Sequence, residues 1–229
     1  MLAGVEVCRW HKQRTLCAQE DGCAWSAGVH PLFIEQYSGV EWTDVLSAYE
    51  DAFAGPFAAS ALGEVGLHRT GASVLSRQVE RFNQQLEIAR YFEKPVIFHA
   101  VKAHQEMLSA LRRFGLLPRG GVVHGFTGGP ELAQCYLNLG LDLGINGRWL
   151  HGGGRKVLET IKEVDLDRLL LESDAPDQSY ERGQRNEPTS IIDAARLIGR
   201  QKQLTTDSVL VQCSINANRL FSIRRPKGE

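Results

Sequence analysis

The sequence predicts an α/β fold, a parallel sheet with helices outside it, built as a (β/α)8 barrel that lacks its first two strands. Two observations predict it. Strand-like apolar runs alternate with helical patterns along most of the chain, the order that favours parallel strands joined by crossover helices. Four acidic or imidazole residues, Glu64, His99, His124 and Asp174, each stand at the end of such a run, where barrels of this kind gather their active-site groups. Their spacings agree. Steps of 35 and 25 residues each fit one strand–helix unit, and the last step of 50 fits two.

The elements follow in order. The first strand-like run is CAWSAGVHP, near 23–31, and the second is AASALGEVGL, near 58–67. A long amphipathic segment then runs from about Ser73 to Glu93. PVIF begins with Pro95, which suits the first position of a strand. HQEMLSALRRFG reads as a helix ended by Gly115. GGVVHGF is a short buried strand, and Pro130 opens the helix PELAQCYLNLG. LDLGI, the helix GGGRKVLETIKEV and the strand RLLLES follow. Two helical patterns, EPTSIIDAARLIGRQ and TTDSVLVQCSINANRLF, close the chain. Six strands are read, against the eight of a closed barrel. Helices follow the last ligand-bearing strand, so the deficit is expected at the N-terminus. The whole chain, 1–229, is read as one N-terminally incomplete domain.

Composition narrows the function. The net charge of -1 gives no global basic field, so a nucleic-acid partner must be held by a local patch or a metal. No apolar run approaches the ~20 residues of a membrane span. The five cysteines form no C-x-x-C pair. They are read as reduced thiols of a cytoplasmic protein rather than as a disulfide framework.

The four strand-end residues suit a divalent cation. A carboxylate can bridge two cations, and neutral imidazoles add nitrogen ligands. Glu64 is expected as a shared ligand, and His99 and His124 as single-metal ligands. Asp174 is expected to bind metal and to orient or deprotonate the attacking water. Each of the four, taken alone, also reads as a polar loop residue. Their recurrence at successive strand ends is what points to catalysis.

The segments GEVGL, PVIFH, GVVHGFTG and LLLESDAPD resemble the signature segments of the TatD family of metal-dependent deoxyribonucleases. The resemblance extends from GVHP to RGQRNEPTSI, and GVVHGFTG followed by LDLGINGRW is most similar to the YjjV-like branch. It implies a barrel of the amidohydrolase type and hydrolysis of DNA phosphodiesters, often 3′→5′ from an end. It also implies one or two divalent ions (Mg²⁺, Mn²⁺ or Zn²⁺) held by Glu64, His99, His124 and Asp174. The chain departs from the family at three places. The Asp-x-His-x-His motif of the family's first strand is not matched, and His11 reads as an exposed helix or loop histidine. His68 stands where the family reads Asp, removing a negative charge while keeping a group that coordinates or hydrogen-bonds. HAVKAH replaces the usual His-Ser-Arg, leaving Lys102 as the nearby cation.

Further candidates concern substrate. His30 reads either as a contact to the scissile phosphate or a ligated water, or as a cap of the turn before Pro31. Glu172 shares a strand face with Asp174, and reads as a supporting partner or as half of a structural ion pair. Arg148, Arg155 and Lys156 flank a Gly-rich stretch with His151 between them. They read either as a phosphate patch or as ordinary surface charge. Arg182, Arg185 and Asn186 follow the Asp174 strand and are candidates for nucleotide contact. Trp149 is the one tryptophan placed to stack on a base. The expected function is therefore a cytoplasmic DNA-cleaving hydrolase working through metal-activated water. The competing expectation is an impaired barrel that binds metal or a partner without turnover.

Overall fold

In the computed structural model the described residues are 1–37, 42–70, 73–149, 154–179 and 183–223. His151 and Arg182 lie outside them. The chain falls into two compact units, one made of residues 1–121 with 220–229 and the other of 122–219.

The first unit holds α1 (Val7–Gln19), β1 (Ser26–Ala27), α2 (Trp42–Phe53), β2 (Ala61–His68), α3 (Leu75–Tyr91), β3 (Val96–Val101) and α4 (His104–Phe114). The three strands pair in chain order and in parallel, Ser26 against Ala61 and Gly66 against His99. β2 is buried except at Glu64 and His68, which lie four residues apart and so share a face. A bulge between Gly63 and Val65 shifts its pairing with β3. Gly66 is required by close approach, because a Cβ there would lie 2.0 Å from the His99 carbonyl oxygen.

Neither α1 nor α2 was expected from the sequence. α1 buries Trp10 and Cys17, and the Trp10 ring packs 4.8 Å from that of Tyr49 on α2. α2 buries Val45, Tyr49 and Ala52, an i, i+4, i+7 stripe that specifies an amphipathic helix. Ahead of α1, Leu2 bridges to Trp25 in parallel, and Gly4 accepts the Glu64 N–H at 2.6 Å.

β4 (Gly121–Val123) begins at the boundary of the units. The second unit continues with α5 (Pro130–Leu137), β5 (Leu141–Asn146), α6 (Arg155–Glu163), β6 (Leu169–Glu172), α7 (Ile191–Lys202) and α8 (Thr206–Phe221) up to Arg219. β5 and β6 pair in parallel, Leu143 with Leu169 and Asn146 with Glu172. Pro130 occupies the first turn of α5, as read. Buried Asp142 receives Arg168 at 2.6 Å and Arg219 of α8 at 2.8 Å. Asn216 of α8 donates to the carbonyls of Leu166 and Leu169, both at 2.8 Å. These contacts fix α8 to the base of β6. Six strands stand among the described residues and overlap the six strand-like runs, although β1 covers only two residues of the run read at 23–31. No described helix is long and apolar enough to cross a membrane.

Candidate metal centre

In the first unit β1, β2 and β3 bring His30, Glu64, His68 and His99 together. Ligand atoms of His30, Glu64 and His99 all lie within 4.8 Å of one another. Glu64 Oε2 is 3.7 Å from His99 Nδ1 and 4.0 Å from His30 Nε2. One carboxylate oxygen between two imidazoles, all three side chains largely buried, is a donor set that suits a divalent cation.

The ring nitrogens of these histidines have close polar partners. His68 Nδ1 lies 2.9 Å from His99 Nε2, and His68 Nε2 lies 2.9 Å from Thr70 Oγ1. Burial first, and the neighbouring His99 second, hold His68 below the ordinary histidine pKa. A neutral His68 carries one ring N–H and one lone pair, so it donates to one of these two partners and accepts from the other. When His68 is the acceptor, the His99 proton sits on Nε2 and its Nδ1 lone pair is on the Glu64 side, as a ligand requires. His30 is held differently. The Leu32 N–H donates to its Nδ1 at 3.2 Å, so the ring proton sits on Nε2 and faces Glu64. His30 is thus set up as a donor. Ligating through Nε2 would require moving the proton to Nδ1 and giving up the Leu32 bond. The Leu32 bond is the kind of local contact that the turn-cap reading of His30 expects.

Two buried glutamines of α3, which the sequence reading passed over, hold these histidines in place. Gln78 accepts the His68 N–H at 2.7 Å and donates to the His68 carbonyl at 3.1 Å. Gln85 accepts the Val29 N–H at 2.8 Å and donates to the Val29 carbonyl at 3.2 Å, beside His30. It also accepts from the buried Tyr49 hydroxyl. Glutamines at i and i+7 share a helix face. Two of them on the apolar face of an amphipathic helix were the available signal.

In the second unit, ligand atoms of His124 and Asp174 lie within 4.8 Å of each other. Glu172 supports His124, with Oε2 3.8 Å from His124 Nδ1 and Oε1 accepting the Gly125 N–H at 2.6 Å. Gly144 leaves the room, since a Cβ there would lie 2.4 Å from Glu172 Oε2. Asp174 has φ 59°, a left-handed conformation that aspartate tolerates better than most residues. Its loop is tied down from within. Asp177 N–H donates to the Asp174 carbonyl, and the Asn186 amide donates to the carbonyls of Ser173 and Asp177.

The candidate substrate residues spread more widely. Lys102 is exposed, and its carbonyl accepts from Arg69. Arg148 bonds Gln178, and its guanidinium lies 5.0 Å from the centre of the Trp149 ring. Gly154 abuts that same ring. Trp149 is half-buried, with Arg148 and Gly154 beside its ring. Arg155 is 87% exposed at its side chain and pairs loosely with Glu159. Arg185, also exposed, lines a hollow of about 310 Å³ with Asn186, Asp193 and Arg196. His11 is an exposed residue of α1.

Residues 1–222 match the family model described as TatD related DNase. The chain belongs to this family. It is 31% identical to the uncharacterized metal-dependent hydrolase YjjV of Escherichia coli K12 over 199 residues, which is 86% of this chain and 75% of that protein. It is 30% identical to the 3'-5' ssDNA/RNA exonuclease TatD of Erwinia billingiae, over 97% of this chain and 87% of that protein. The crystal structure of Escherichia coli YjjV is similar with a TM-score of 0.87 at 28% identity, covering 96% of this chain and 85% of that one. The fold is the TatD-type amidohydrolase fold, and the protein is a metal-dependent hydrolase of that family.

Proposed function

We propose that this TatD-family hydrolase cleaves DNA phosphodiester bonds, removing nucleotides from the 3′ end of a single strand. The observation that carries the reading is the Glu64 carboxylate set between His99 and His30. A relative named as a 3'-5' ssDNA/RNA exonuclease, matched across 97% of the chain, supports the choice of substrate.

Glu64 and His99 of the first unit and His124 and Asp174 of the second are the proposed holders of one or two divalent ions, Mg²⁺, Mn²⁺ or Zn²⁺. Such an ion, when bound, stabilises charge on phosphate oxygens and makes water a usable nucleophile at neutral pH. The chain's own groups do the rest. Asp174 accepts the proton of the attacking water. His68 takes the His99 Nε2–H and keeps the opposite lone pair aimed inward. Glu172 fixes the His124 ring. The His30 Nε2–H donates to a phosphate oxygen, while Lys102, Arg148, Arg155 and Arg185 attract the DNA backbone.

The test is cleavage of 5′-labelled single-stranded DNA by this 229-residue chain with Mg²⁺ or Mn²⁺. The reading expects progressive shortening from the 3′ end, abolished by EDTA and by Asp174→Asn. A folded, metal-loaded chain that leaves the DNA intact, or an Asp174→Asn variant that still cuts, refutes it.

A further inference from the structure

Away from these residues, the first unit contains a pair of thiols. Cys17 lies in the last turn of α1, and Cys23 follows the turn at Gly22 on the way into β1. Their sulfurs are 2.6 Å apart, and both are free cysteines. A disulfide needs ~2.05 Å between sulfurs, so a small shift brings them into bonding range. The two thiols line one hollow of about 280 Å³ in the first unit, together with Trp25, Phe57, Lys94 and Arg119. Only six positions separate them in sequence, so closing the bond links two segments already held together by their own fold. The Cys23 N–H donates to the Glu20 carbonyl at 3.2 Å, closing the same turn.

We propose that Cys17 and Cys23 form an oxidation site, which a peroxide converts into an intramolecular disulfide joining the end of α1 to the segment that enters β1. The two thiols have different environments. Cys17 is buried, and burial followed by the neighbouring Cys23 pushes its pKa up to about 12. Cys23 is only half-buried and lines the hollow, where a small oxidant can reach its sulfur. Cys23 is therefore the residue that meets the oxidant. Its thiolate attacks one peroxide oxygen, the O–O bond breaks, hydroxide leaves, and Cys23 becomes a sulfenic acid. Cys17 then attacks the Cys23 sulfur, and the sulfenic oxygen leaves as water with the Cys17 proton. One S–S bond replaces two S–H bonds, and the two electrons reduce hydrogen peroxide to water.

The experiment treats the folded, fully reduced chain with a small excess of hydrogen peroxide, quenches it, and titrates thiols in denaturant. Three thiols should remain of the five present in the sequence, and dithiothreitol should restore all five. Proteolysis after Glu20 separates the two cysteines into different peptides, so mass spectrometry should find those peptides joined, lighter by two hydrogens. In Cys17→Ser the bond cannot form, and dimedone should label Cys23. The peptide map of the unsubstituted chain decides the matter even where that variant folds poorly. The proposal fails when all five thiols survive, when the lost thiols map to Cys8, Cys135 or Cys213, or when the bond joins two chains.

Discussion

In the first unit, Glu64 and His99 stand within paired strands, and two glutamines of one helix hold His68 and the residue beside His30 by their backbone groups. In the second, Asp174 stands two residues past the end of β6 at φ 59°, in a loop tied by Asn186. One set of groups is positioned by sheet register and buried helix side chains. The other is positioned by a loop and its internal hydrogen bonds. Register is costly to alter, because a slip by one residue turns every side chain to the opposite face. A loop conformation depends on a few bonds and is sensitive to single substitutions. Removing the buried glutamines that support the first set should therefore appear as lost stability, whereas removing the loop contacts that support the second should appear as lost turnover in a chain that still folds.

The largest expected effect is on turnover. Glu64→Gln and Asp174→Asn should each reduce DNA cleavage by roughly 10³-fold, and circular dichroism should show both chains folded. Asn186→Ala sharpens the contrast. It should leave the melting temperature nearly unchanged and reduce kcat by about 10- to 100-fold, the range for partners that orient a functional group. A large drop in stability with unaltered kcat would break the distinction.

Next in size is a stability effect in the first unit. Gln85→Ala leaves the Val29 N–H and carbonyl and the Tyr49 hydroxyl buried without their partner. It should destabilise the chain by roughly 3 kcal/mol, measured by urea unfolding. A loss of under about 1 kcal/mol would mean that water or a rearranged loop replaces the glutamine.

A smaller effect concerns pH. Burial holds His104 below the ordinary histidine value of 6.5. The unfolded chain takes up a proton near that value, while the folded chain does so only at lower pH. The contribution to stability is therefore fully present above 6.5 and is lost as pH falls towards the folded value. Melting temperature should fall between about pH 7 and about pH 5, and His104→Asn should make that fall shallower. An equally steep fall in the variant would place the acid sensitivity elsewhere. The smallest effect is expected for Arg155→Ala. Its side chain is 87% exposed and only loosely paired, so KM for DNA should rise no more than about three-fold.

The same contrast explains what the sequence disclosed. Glu64, His99 and His124 were picked out because each closes an apolar run in the sequence, although Glu64 and His99 fall inside β2 and β3 rather than at strand ends, since both strands continue past them. Asp174 was legible by its place after LLLES, although nothing local announced its left-handed backbone. His68 was read as a group that coordinates or hydrogen-bonds, and its ring lies within hydrogen-bond distance of His99 and Thr70. That pairing joins two strands 31 positions apart, which no local pattern encodes. α2 was missed despite its Val45, Tyr49 and Ala52 stripe, and α1 because only Trp10 and Cys17 of its thirteen residues are buried. The buried glutamines were missed because a polar residue on an amphipathic helix reads as solvent-facing until its partner is known. Cys17 and Cys23 escaped notice for a related reason, since spacing of six matches no common cysteine motif.

The central claim is that a divalent ion binds where Glu64 and His99 meet. Equilibrium dialysis of the chain against Mn²⁺ or Zn²⁺, beside Glu64→Gln and His99→Ala, tests it without relying on any substrate. The account predicts at least one ion per folded chain and a drop in affinity of at least about ten-fold in each variant. Absence of binding by the unaltered chain, or equal binding by folded variants, would contradict it.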